Sequence, residues 1–149
     1  MSRIDDLRDR YVALNGLRPA AKEFLNSMEN GLGVTLPAAF REVCDFFDGT
    51  GINAISLFSL TERAATLNPL AETIRLRARS GIPHDYLAIG EPAESLLVMK
   101  CAGDGGVLWV DALDVGRIET ENFLAPVDSW ACFLDFFEFL LDEEEADRS

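Results

Sequence analysis

The chain has 149 residues, of which 48% are hydrophobic and 9% aromatic, and it carries a formal net charge of −13. That length and apolar content suit one domain with a real core and exclude a disordered chain. No apolar run approaches the roughly 20 residues a membrane span needs, and so acidic a chain is unsuited to nucleic acid, which is bound by clustered Lys and Arg.

Residues 2–15 are expected to form an amphipathic helix with Ile4, Leu7, Tyr11 and Leu14 on one face. Ser2 would cap it, Asp5 and Asp6 suit the positive end of its dipole, and Asn15-Gly16 would end it. Pro19 is expected to start a second helix, with Ala21, Phe24, Leu25, Met28 and Leu32 as its stripe and Gly31 or Gly33 as its close. A third, very apolar helix is expected from Pro37, with Leu36, Ala39, Phe40, Val43, Phe46 and Phe47 buried and Gly49 terminating it in the left-handed conformation. Residues 52–60 then have a strand-like character, apolar on both faces. Ser59-Leu60-Thr61-Glu62 matches a capping box, so a helix should begin near Leu60, break at Pro69 and resume over 69–79.

The second half changes character. Short strands are expected at 86–90, 95–101 and 107–111, the last two joined by the glycine-rich turn 102–106, with 115–119 adding a further strand. Asp128 is expected to cap a final helix whose apolar residues Trp130, Phe133, Leu134, Phe137, Leu140 and Leu141 hold helical spacing. Residues 142–149 are expected to be a solvated acidic tail. The fold class is therefore α+β: N-terminal helices, one mostly antiparallel sheet of four to six strands, and a C-terminal helix packed on it.

Charge is distributed unevenly along this layout. Residues 1–79 hold ten acidic and ten basic side chains, whereas residues 80–149 hold sixteen and three, so the whole net charge lies in the second half. A basic protein partner would be steered toward that half. The N-terminal Ser2-Arg3-Ile4-Asp5-Asp6 lacks the basic and apolar regions of a secretory signal. Cys44, Cys101 and Cys132 form neither a disulfide framework nor a metal-binding pair, and a cytoplasmic protein with buried thiols is the expectation.

No residue pattern points to catalysis. His84 is the only histidine, and no Ser or Cys stands in a nucleophile-elbow sequence. The turn 102–106 lacks the lysine and following helix of a phosphate-binding loop. Arg63, Arg75, Arg77 and Arg79 suit a solvated face better than an anion site. Asp104, Asp111 and Asp114 do not follow the spacing of a calcium loop, and no cofactor or metal is expected.

The order of several pieces does carry a resemblance. An apolar helix, the step Leu32-Gly33-Val34-Thr35-Leu36-Pro37, and a second helix closing at Asp48-Gly49 are followed by Leu87-Ala88-Ile89-Gly90. Strand-like runs at 95–99 and 106–111 come next, and then Trp130-x-x-Phe133-Leu134-x-x-Phe137. Over residues 20–141 this resembles the SUKH superfamily, the domains of bacterial toxin-immunity proteins and of a fungal cell-wall regulator. Asp48-Gly49 stands where the family usually has Asn-Gly, and Glu91-Pro92-Ala93-Glu94 replaces a more glycine-rich link.

The resemblance implies a non-catalytic protein-binding domain, in its most concrete form an immunity protein that covers the active site of a bacterial toxin. A basic, nuclease-type toxin is the class that the acidic half would suit. Asp104, Asp111, Asp114, Glu119 and Glu121, on turns and strand ends, are the expected contact residues, and the chain itself is expected to be a monomer or weak homodimer. A scaffold or regulatory domain for a cellular partner is the alternative. A small-molecule or metal-binding enzyme is the third reading.

Overall fold

In the computed structural model, which describes residues 2–62 and 67–149, the chain opens with three helices. They are α1 (Arg3–Asn15), α2 (Lys22–Leu32) and α3 (Ala38–Val43). Ser2 caps α1 by accepting the Asp5 N–H at 3.3 Å. Gly33 ends α2 in the left-handed region at φ 68°. Pro19 does not start a helix. The N–H groups of Arg18 and Ala20 instead donate to the carbonyls of Phe46 and Cys44, at 3.0 and 2.9 Å, so this segment runs along the end of the third helix. That helix is shorter than its apolar spacing predicts. After Val43 the chain tightens into i→i+3 bonds, Asp45 N–H to Glu42 and Phe46 N–H to Val43, while Phe46 and Phe47 stay buried.

Residues 52–60 do not form the expected strand. Only Leu57 pairs, in a single bridge to Gly90. The reason lies in where the backbone donors go: the Asn53 and Ala54 N–H groups are taken by the Glu144 carboxylate, at 2.6 and 2.9 Å, rather than by a neighbouring strand. The segment also approaches Gly49 so closely that a Cβ there would collide with the Phe58 carbonyl. The helix expected from Leu60 falls largely on residues 63–66, outside the described residues. Its second segment is α4 (Pro69–Ser80), capped by the Asn68 side chain, which accepts the Ala71 N–H at 2.8 Å.

The sheet is a four-stranded antiparallel meander in chain order: β1 (Tyr86–Gly90), β2 (Ser95–Lys100), β3 (Val107–Asp111) and β4 (Asp128–Trp130). Two expectations change here. Residues 115–119 are not a strand. Asp111 accepts the Leu113 N–H at 2.9 Å and opens a 3-10 helix, Ala112–Arg117, because a short acidic side chain competes locally with the ladder for backbone donors. The fourth strand is supplied by Asp128–Trp130, paired with β3 through Val107↔Trp130, so Asp128 is not the cap of the last helix. That helix, α5 (Phe133–Arg148), starts where the Phe133 N–H donates to the Asp104 carbonyl at 3.0 Å.

Alternation along the strands builds two cores. Leu87, Ile89, Leu97, Met99 and Val107 face the helices, among them the α5 residues Phe133, Phe136 and Phe137. Tyr86, Ala88, Leu96, Val98 and Val110 face the other way and are covered by Leu76 of α4, Ile82, Phe58 and Ile118. In the first core, Phe137 lies 5.1 Å from Phe47 and 5.9 Å from Phe46 between ring centroids, both edge-to-face. No described helix is long and apolar enough to cross a membrane.

Residues 142–148 are not a loose tail, for they complete α5. Glu144 is 1% exposed, and Arg148 donates to it at 2.7 Å and also to the Leu14 and Gly51 carbonyls and the Asn15 side chain. The last turn of the chain thus joins the end of α1 to the loop before residue 55.

Candidate protein-binding surface

The sixteen acidic residues of the second half do not form one uniform surface. Four of those on α5 are answered by the first helix: Arg3 lies 2.7 Å from Asp135 and 2.8 Å from Glu138, and Arg10 lies 2.7 Å from Asp142 and 2.6 Å from Glu145. Glu145 and Asp142 push the Arg10 pKa further up, against the opposing effect of burial. The N-terminal bases that balance the chain's first half are therefore partly spent on its last helix. The acids around the sheet are left with far less positive charge nearby.

The five expected contact residues divide. Asp114 is fully buried at 0% exposure and cannot touch a partner; its carboxylate accepts the N–H groups of Leu124 and Ala125 at 2.8 and 3.0 Å and holds the segment between the 3-10 helix and β4 against the sheet. A buried carboxylate requires donors, and these two backbone N–H groups supply them. Asp111 is half-buried, caps the 3-10 helix and stands opposite Ser95 in the β2–β3 register. Asp104, exposed on the β2–β3 turn, lies at the opposite end of that pair of strands. Glu119 and Glu121 are exposed and share one surface depression, into which the structure also brings Asp85, Tyr86 and Lys100.

Asp85 was missed in the sequence because its place is decided by strand pairing: the register sets Tyr86 opposite Lys100. No local signal joins residue 85 to residues 119 and 121. Among the described residues, Asp85, Asp104, Glu119 and Glu121 have no basic group within 4.0 Å. Glu121 holds a left-handed φ of 55°, and its N–H donates to the Arg117 carbonyl at 2.9 Å, which turns the chain back beside the sheet.

The features with catalytic potential are otherwise engaged. His84 is exposed, with Nε2 3.4 Å from the Gly33 carbonyl, and its own carbonyl accepts from Arg77 at 2.6 Å. Arg75 is held by two bonds to Glu72, at 3.1 and 3.0 Å, so Arg75 and Arg77 do not converge on a common anion. Arg63 lies outside the described residues. The glycine-rich turn is packed at Gly105, where a Cβ would stand 3.0 Å from Pro37.

Burial pushes the Cys44 thiol well above its ordinary value and the Cys101 thiol up to about 12, so neither is a thiolate nucleophile at neutral pH. Among the described residues no three His, Cys, Asp or Glu side chains are grouped to hold a metal ion. The apolar cavity between α3, α5 and residues 57–60 measures about 20 Å³, roughly the space of a single water. Neither a protein-family model nor a curated protein sequence matches this chain.

Proposed function

We propose that the chain is a non-catalytic protein-binding domain, an immunity protein that neutralises a basic bacterial toxin in the cytoplasm by covering its working surface. The observation that carries this reading is the segregation of charge: the net charge of −13 sits in residues 80–149. Within that half, Asp135, Glu138, Asp142 and Glu145 of α5 are paired with Arg3 and Arg10, whereas Asp85, Asp104, Glu119 and Glu121, gathered at one end of the sheet, are unpaired among the described residues. An unpaired acidic face on a rigid sheet steers a basic protein and raises its rate of encounter. The SUKH resemblance supports the toxin-immunity form of the reading, and the order of helices, meander and closing helix agrees with it.

The test is capture from lysate with the tagged chain at low and at high salt, followed by an inhibition assay on what is retained. A basic protein released by salt, whose toxicity or nuclease activity falls to background at one equivalent of this chain, is the expected result. Retention of a protein that is not basic, or that keeps its activity when saturated, would move the function to a scaffold or regulatory domain.

A further inference from the structure

The depression at the sheet end has a floor as well as acidic walls. Tyr86 is the first residue of β1, and its ring belongs to the second core with Leu76 and Ile82, so the residue is only 8% exposed. It nevertheless lines the depression, together with Pro83, Asp85, Lys100, Ile118, Glu119 and Glu121. No described residue hydrogen-bonds its hydroxyl. The ring is buried but the hydroxyl is not: it opens into the depression, where it is available as both donor and acceptor. Burial first, then the charges of Asp85 and Glu121, push its pKa up, so the hydroxyl remains protonated and neutral.

These features specify an occupant. Three carboxylates line the depression against one cation, Lys100, which makes no ion pair among the described residues. The occupant should therefore be positive. It should also offer several donors in a fork, since the acceptors come from two separate segments of the chain, and an apolar stem to lie on Pro83 and Ile118. A guanidinium meets all three demands: it is planar, always charged, presents five donors, and packs against aromatic rings. A metal ion does not, because the described acids are not grouped for coordination.

We propose that this depression is the receptor site for a single arginine side chain of the basic protein partner, with Glu119, Glu121 and Asp85 pairing the guanidinium and the Tyr86 hydroxyl completing its hydrogen bonds. The assignment rests on the function proposed above and names the chemistry of its contact.

The experiment is an amide-resolved NMR titration of the full chain at low salt with the blocked peptide Gly-Arg-Gly, and with Gly-Lys-Gly as comparison. Saturable shifts centred on Asp85, Tyr86, Lys100, Glu119 and Glu121, stronger for arginine, are expected. The double variant E119Q/E121Q should weaken binding by about tenfold, as loss of charge-assisted bonds does. Y86F, which keeps the ring in the core, should weaken it by about two- to fivefold. Shifts spread evenly over the acidic surface, including Glu143 and Asp147, or unchanged by E119Q/E121Q, would overturn the site. Equal shifts with the lysine peptide would overturn its arginine preference.

A second arm separates the two claims. If E119Q/E121Q still captures the basic partner as well as the native chain does, the function stands and the arginine site falls. If the arginine peptide binds as expected and no basic protein is captured, the site stands and the toxin-immunity reading falls.

Discussion

Glu144 shows how one buried carboxylate can hold distant parts of a chain together. It lies on the last helix yet accepts the Asn53 and Ala54 N–H groups, and Arg148 completes it at 2.7 Å. Burial raises its pKa, but the Ala54 N–H, the Arg148 guanidinium and the Asn53 N–H outweigh burial and hold it below the ordinary carboxylate value. A group whose folded pKa is depressed stabilises above its unfolded pKa, and that contribution is lost as pH falls through the folded value. E144Q should therefore destabilise the fold by about 1–3 kcal/mol at pH 7, measured by urea unfolding. The gap to the native chain should close below about pH 4; a gap independent of pH would mean that the charge contributes nothing. Asp114 also accepts two backbone N–H groups from a distant segment. D114A should cost about 1–3 kcal/mol and speed hydrogen exchange at Leu124 and Ala125, whose N–H groups it accepts.

At the scale of elements, α5 is both core and clasp. Phe133, Phe136, Phe137, Leu140 and Leu141 are buried against the sheet and the first three helices, while its last turn reaches the end of α1 through Arg148. Residues 142–149 look dispensable as an acidic run, but deleting them should lower the melting temperature, because Glu144 and Arg148 leave with them. A truncated chain with unchanged melting would show that the clasp forms without stabilising. Gly49 illustrates an element decided by a close approach. It has φ 87°, and the Phe58 carbonyl occupies the place a Cβ would need. G49A should therefore destabilise by more than about 2 kcal/mol, beyond the cost of the left-handed backbone alone, as read by thermal unfolding. The element that could not be foreseen is β4. Asp128–Trp130 has three residues and no alternation to announce it, and its strand character comes from the open edge of β3 and from Trp130 packing on Phe136 at 4.9 Å.

For the molecule as a whole, charge and packing pull in different directions. The two cores share one sheet, so the helices cannot leave without exposing strands that are buried on both faces. Unfolding should be a single cooperative transition, with fluorescence and far-UV dichroism coincident. A net charge of −13 repels itself, and raising salt from near zero to about 0.15 M, where the Debye length is about 8 Å, should raise the melting temperature. A fall instead would mean that the exposed Arg3 and Arg10 pairs with α5 outweigh the repulsion, contrary to the small worth of such pairs.

What the sequence determined by itself is what local periodicity and local chemistry encode. The stripe of Leu7 and Tyr11, the Ser2 cap, the left-handed glycine after Leu32 and the three apolar strand cores are all written within a few residues of where they act. So is the total and the placement of charge, and with it the class of partner worth testing. The tertiary structure alone decided which of those charges are free. Whether an acid at position 114 faces a partner or backbone N–H groups of its own chain, whether Glu144 dangles or clasps, and whether Asp85 meets Glu119 and Glu121 depend on strand register and helix docking between residues far apart in the chain. Hydrophobic spacing reports which face of an element is buried. It does not say against what that face is buried, and electrostatic pairing is set by that second fact.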